Sequence, residues 1–147
     1  MTRINLVDPV HLADQHLMAE YRELPMVMAA LKRSLRSKNG LPEIGKMYTL
    51  NSGHVKFFYN KGAFLRRRYA LLVMELVARD YALSERPSAD FSVFRENGLD
   101  NDWAPSKQEI AINVERINAR MLQRPGWYKY YGKPIHDPNW FLRMEER

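Results

Sequence analysis

Three observations predict an all-α fold. Apolar residues recur every three or four positions along three separate stretches, the spacing of one helix face. A helix-start signature, Ser106-Lys107-Gln108-Glu109, stands directly before the last of them. Only one segment, Gly53-His54-Val55-Lys56-Phe57-Phe58-Tyr59, has clear strand propensity, and it is solitary. Three main helices with long irregular connections then form a single domain over residues 1–147, with residues 136–147 as a tail.

The elements follow in chain order. Residues Thr2 to Val7 read as an extended arm, and Asp8-Pro9 as the start of a short helical turn. The first long helix is expected from Gln15 to Lys38, with Leu17, Tyr21, Leu24, Met28, Leu31 and Leu35 as its apolar stripe. Asp14 is placed to cap it, because its carboxylate can accept from unpaired N–H groups, and Asn39-Gly40 is a stop signal. Pro25 has no N–H for the Tyr21 carbonyl and crowds the preceding turn, which predicts a kink. A second helix fits Ala63 to Asp80, with Leu65, Tyr69, Leu72 and Leu76 on one face. Proline, glycine and asparagine punctuate Glu85 to Trp103, the pattern of a loop. The third helix begins at the Ser106 capping box, buries Ile110, Val114, Ile117 and Met121, and ends before Pro125.

Lysine and arginine total 23 against 17 aspartates and glutamates, a net charge of +6, which favours a polyanionic partner. The absence of cysteine excludes disulfides, a thiolate nucleophile and cysteine metal sites. No apolar run is long enough for a membrane span, and no basic-then-apolar secretory leader opens the chain. A cytoplasmic protein is expected.

Candidate chemistry gathers at the two ends. The block Trp127-Tyr128-Lys129-Tyr130-Tyr131-Gly132-Lys133 holds four aromatics and two lysines in seven residues, a composition suited to stacking on bases while contacting phosphates. Trp127 and Tyr128 either stack on DNA or pack the end of the third helix; Tyr130 and Tyr131 read as structural. At the other end, aminopeptidases remove an initiator methionine before a small residue, which exposes the main-chain amine of Thr2. Such an amine has a reference pKa of roughly 7.7–8.0, against about 10.4 for lysine, so part of it is neutral near pH 7 and can attack a sugar C1′ to form a Schiff base. His16, Glu20 and Glu23, spaced i, i+4, i+7, share one stripe of the first helix, and Gln15 and Arg22 form a parallel pair. A carboxylate at Glu23 either stabilises a developing positive charge and moves a proton, or is an ordinary solvated helix glutamate. His16 and Glu20 lack further ligand spacing for a metal site. Arg116, Arg120 and Arg124 step by four towards the aromatic block and either neutralise phosphates or solubilise a helix face; for Arg66 to Arg68 the solubilising role is favoured.

Three stretches together, Thr2-Arg3-Ile4-Asn5-Leu6, Asp14 through Pro25 and Trp127 through Lys133, resemble the pyrimidine-dimer DNA glycosylases, the endonuclease V type of ultraviolet-damage repair enzyme known from phages and algal viruses. Gly53-His54-Val55, Phe57-Phe58-Tyr59 and Lys61 also look like that family, which favours a packed loop there. The resemblance implies a monomeric bifunctional glycosylase and apurinic/apyrimidinic lyase that acts on double-stranded DNA carrying cis-syn cyclobutane pyrimidine dimers, without metal or organic cofactor. It implies Thr2 as the nucleophile and Glu23 as the catalytic acid. Arg3, Gln15, His16 and Arg22 match positions that grip the lesion, and Arg116 and Arg120 match basic positions of the DNA face. Trp127, Tyr128 and Lys129 complete the expected DNA-binding set. Two other readings keep part of this: the same imine chemistry on another lesion or on abasic sites, and a non-catalytic DNA-binding module. This sequence departs from the phage pattern at Met26, where the phage form has arginine; Lys32 or Arg33 is then the candidate replacement contact. It departs also in the Pro87–Trp103 loop, and in the tail, where Asn139 to Leu142 either cap the core or alter the DNA-facing surface.

Overall fold

The computed structural model describes residues 2–83 and 89–147. It is all-α apart from one small hairpin, in the order α1 (Asp14–Glu23), α2 (Pro25–Arg36), α3 (His54–Phe57), α4 (Gly62–Ala78), α5 (Ser92–Glu96), α6 (Lys107–Leu122), β1 (Lys129–Tyr130), β2 (Lys133–Pro134) and α7 (Trp140–Glu145). A 3-10 turn over Pro9–His11 precedes α1, capped by the Asp8 carboxylate accepting from the Val10 N–H. No helix of the described residues is long and apolar enough to cross a membrane.

The expected first helix is two helices joined at Leu24, which keeps helical dihedrals (φ −55°, ψ −44°) while Pro25 opens α2. Proline at the first helical position needs no donor, so the same residue that interrupts α1 starts α2. The end falls at Arg36, a turn earlier than Asn39-Gly40 suggests. Asp14 is not the cap. Ala13 occupies that position, and Asp14 is the first helical residue, buried, its carboxylate drawn away by stronger partners. It pairs with Arg79 Nη1 at 2.9 Å and accepts from the N–H groups of Tyr131 (3.1 Å) and Gly132 (2.9 Å).

Leu17, Leu24, Val27 and Leu31 from α1 and α2 meet Leu65, Leu72 and Leu76 of α4, with Phe57, Phe58 and Tyr48 between. The strand-like segment at Gly53–Tyr59 is a single helical turn, α3, because Phe57 and Phe58 must both enter the core and a strand would send them to opposite faces. At the start of α4, Gly62 lies so close to Phe94 that an added Cβ would stand 2.3 Å from the Phe94 Cβ. Arg66 and Arg67 are exposed and pair with Asp100 and Asp102. Arg68 departs from the expected solubilising face: it is buried against Glu20.

Residues 85–88 of the expected 85–103 loop lie outside the described residues, as does Met1. The described remainder contains α5, which buries Val93 and Phe94. The capping box of α6 is formed in both directions, Glu109 N–H to Ser106 Oγ at 3.1 Å and Ser106 N–H to Glu109 Oε1 at 2.9 Å. The aromatic block folds into the hairpin. Tyr131 (φ 51°) and Gly132 (φ 79°) form its two-residue turn in the left-handed region, with Lys129 opposite Pro134 and Tyr130 opposite Lys133. The tail caps the core: α7 packs against α6 and the 3-10 turn, burying Phe141 and Met144, and His11 Nδ1 lies 2.9 Å from Glu145.

Candidate nucleic-acid interface and active site

A cleft of about 320 Å³ opens between the arm, α1 and α6. Its walls carry Arg3 and Asn5 from the arm, His16, Ala19, Glu20 and Glu23 from α1, Arg116, Ile117 and Arg120 from α6, and Tyr128 before the hairpin. The helical repeat explains the convergence. His16, Glu20 and Glu23 lie on one face of α1, and Arg116 and Arg120 are one turn apart on α6.

Glu23 accepts the Arg3 N–H at 2.9 Å, which brings the first residues of the arm against its carboxylate. Burial pushes the Glu23 carboxyl above its ordinary value, opposed by that N–H bond. Thr2 is half-buried, and its Oγ1 approaches Met26 Sδ at 3.5 Å. Arg3 is lowered by burial first and then by the charge of Arg116, so like charges face one another across the cleft. His16 is pushed down to about 4 by burial and by Arg120 and Arg3, which keeps its imidazole neutral at pH 7. Its ring lies tilted against Tyr128 with centroids 4.7 Å apart, and its buried Nδ1 has no hydrogen-bond partner.

Thus Arg3, His16, Glu23, Arg116, Arg120 and Tyr128 of the predicted set come together at the cleft. Thr2, Gln15, Arg22, Trp127 and Lys129 stand outside its lining, Thr2 at its edge next to Arg3. Arg22 and Lys129 are exposed. Gln15 clamps the approach to the hairpin: its Nε2 donates to the Trp127 carbonyl at 2.7 Å and its Oε1 accepts the Lys129 N–H at 2.9 Å. Trp127 is 44% exposed, its ring under the Arg124 guanidinium at 3.9 Å and edge-on to Tyr128 at 4.8 Å. Lys32 and Arg33 are exposed on α2, away from the cleft lining.

Of the residues that hold this site, Glu20 stood out in the sequence only as part of the His16–Glu23 stripe, and Asn113 did not stand out at all. Glu20, 1% exposed, receives Arg68 Nε at 2.7 Å and Nη2 at 2.9 Å and the Asn5 amide at 3.0 Å. Asn113, fully buried, carries the chain of amides on by donating to Asn5 Oδ1 at 2.9 Å. A signal for Asn113 does exist, since it is a polar residue on the apolar stripe between Ile110 and Ile117. Among the described residues no group of three or more histidine, aspartate or glutamate side chains could hold a metal ion.

A cleft with cations on its walls, a carboxylate and a neutral imidazole beneath them, and an aromatic hairpin alongside is built for a polyanion and for proton transfer. The family model for pyrimidine dimer DNA glycosylase matches residues 1–86, more than half of the 147-residue chain, and the protein belongs to that family of DNA repair enzymes. The matched span contains the arm and α1 through α4; α6 and the hairpin lie beyond it.

Proposed function

We propose that the protein removes cis-syn cyclobutane pyrimidine dimers from double-stranded DNA as a monomeric, bifunctional glycosylase and apurinic/apyrimidinic lyase, with the Thr2 main-chain amine as nucleophile. The observation that carries this reading is the 2.9 Å bond from Arg3 N–H to Glu23, because the Thr2 amine is then only one residue from a half-buried carboxylate in the cleft.

Once Met1 is removed, the neutral amine attacks C1′ of the dimer's 5′ nucleotide. The glycosidic bond breaks, its electron pair leaves with the base, and the base stays attached to its 3′ neighbour through the cyclobutane ring. Opening of the sugar ring gives a protonated imine between Thr2 and C1′. Glu23 stabilises that positive charge and then takes the C2′ proton, which the imine has made acidic. The C3′–O bond breaks with phosphate as leaving group, and water releases the amine. Arg3, Arg116 and Arg120 neutralise the flanking phosphates, with Arg22 and Lys129 extending the basic track. His16, neutral and lining the cleft, presents its imidazole to the displaced sugar or base. Gln15 sets Trp127 and Lys129, and Trp127 and Tyr128 offer stacking faces.

Borohydride trapping on a duplex with one defined dimer tests this reading. The expected result is a covalent adduct mapped by mass to the Thr2 amine and lost when the N-terminus is extended. An adduct on an abasic duplex but none on the dimer moves the lesion assignment. No adduct with either, from protein that lacks Met1, leaves a DNA-binding module.

A further inference from the structure

Among the described residues, the arm that carries Thr2 pairs with no strand, and no main-chain-to-main-chain hydrogen bond holds residues 4–7. Side chains hold it instead, and they come from widely separated parts of the chain. His54 Nε2 accepts the Ile4 N–H at 2.8 Å, and the Tyr48 hydroxyl donates to the Ile4 carbonyl at 2.9 Å. Asn113 Oδ1 accepts from the N–H groups of Leu6 at 2.7 Å and Val7 at 3.4 Å, and Arg68 Nη1 donates to the Val7 carbonyl.

The His54 tautomer is dictated by its partners. Nδ1 lies 2.7 Å from the Thr49 carbonyl, which only accepts, so Nδ1 carries the hydrogen and Nε2 is left as the acceptor that Ile4 requires. An extended chain end without such anchors frays. Neither His54 nor Asn113 lines the cleft.

We propose that His54 and Asn113 are positioning residues for the nucleophile: they clamp the main chain of residues 4–7 and so hold the Thr2 amine at a fixed distance from Glu23. This rests on the reading of Thr2 as nucleophile. Attack on C1′ requires that the amine already stand in reach of the sugar, and misplacement by about 1 Å costs on the order of 100-fold in rate. The clamp therefore acts on the chemical step and leaves DNA affinity to the cationic walls.

The test uses His54→Phe, which keeps an aromatic ring but no acceptor, His54→Gln, which restores an acceptor, and Asn113→Leu, with Asn113→Asp as the variant that keeps the acceptor oxygens. Three quantities are read: single-turnover cleavage of an abasic duplex, affinity for the same duplex with an uncleavable tetrahydrofuran site, and amide hydrogen exchange of residues 2–7. His54→Phe and Asn113→Leu are expected to lose roughly 100-fold in single-turnover rate, with affinity within about threefold and faster exchange confined to the arm. His54→Gln is expected to recover at least about tenfold of the loss, and Asn113→Asp to retain more rate than Asn113→Leu. A Thr2 adduct in the parent protein with unchanged rates in His54→Phe and Asn113→Leu overturns the positioning role alone. Rate losses matched by equal losses of affinity, or exchange that rises throughout the molecule, also overturn it, because the residues are then merely structural. Absence of a Thr2 adduct in the parent protein removes the amine reading and this proposal with it, whatever the exchange shows.

Discussion

At the scale of single residues, the decisive arrangement is Glu23 beneath the arm. Its carboxyl is raised by burial and restrained by the Arg3 N–H, so its charge is less fully screened than that of an exposed helix glutamate. Glu23→Gln preserves an acceptor for that N–H while removing the charge and the base. We expect it to bind abasic-site DNA within a few-fold of the parent protein and to lose on the order of 10²–10⁴ in strand cleavage, the range for a general acid–base group. Equal cleavage by Glu23→Gln in single-turnover assays would sink the role given to this residue. Arg120 permits a different kind of check. It is exposed at the cleft wall, so Arg120→Gln should weaken DNA binding and lower the slope of log affinity against log salt by about 1. An unchanged slope across a salt titration means that Arg120 meets no phosphate.

At the scale of elements, buried charges hold α1, α4 and the hairpin in register. Arg79 has a fully buried side chain; it is paired to Asp14 and Glu75 and lies 4.7 Å from the centroid of the Tyr130 ring. Asp14→Ala leaves that guanidinium short of one carboxylate and strips the hairpin turn of both acceptors. The expected cost is roughly 3 kcal/mol or more in urea denaturation, together with greater quenching of Trp127 fluorescence by iodide. Loss of less than about 1 kcal/mol would mean that solvent enters and repairs the gap. The helices of this framework were legible because their periodicity is local: Leu17 to Leu35 and Ile110 to Met121 mark the core-facing sides without knowledge of any partner, although Tyr21, Leu35, Ile110, Val114 and Met121 end only half-buried. The hairpin was not, since Tyr131-Gly132 lacks the usual Asn-Gly signal and its left-handed tyrosine is secured by Asp14 from far along the chain. Arg68 was misjudged for the same reason: a charge can be buried only with its partner, and Glu20 is 48 residues away. Of the site, the cationic walls and Glu23 could be read from resemblance and helix spacing, whereas Asn113 and His54 reveal their work only through folded contacts with main-chain groups.

At the scale of the whole molecule, two histidines couple stability to pH. His16 and His54 are both lowered to about 4, chiefly by burial. The unfolded chain takes up protons near the ordinary value of about 6.5 while the folded protein refuses them. Their contribution is complete above the unfolded value and is lost as pH falls from there towards 4, by up to about 1.4 kcal/mol per pH unit for each histidine. Glu23 has the opposite sign, being raised, so its contribution is present at low pH and lost as pH rises through its folded value. The histidines dominate between pH 6.5 and 5, and urea midpoints should fall steadily over that window, less steeply in His16→Phe. A flat profile from pH 7 to 5 contradicts the neutral buried imidazoles.

The two ends of the chain are sewn together. Leu6 is held by Asn113 across 107 positions, Gln15 by Lys129 across 114, and His11 by Glu145 across 134. A protein is made from its N-terminus, so the arm leaves the ribosome long before α6 or the hairpin exists to receive it. The cleft cannot be completed on a chain that ends before α6. The order of synthesis thus sets when the cleft can exist: the arm and α1 wait for their partners until α6 and the hairpin have been translated.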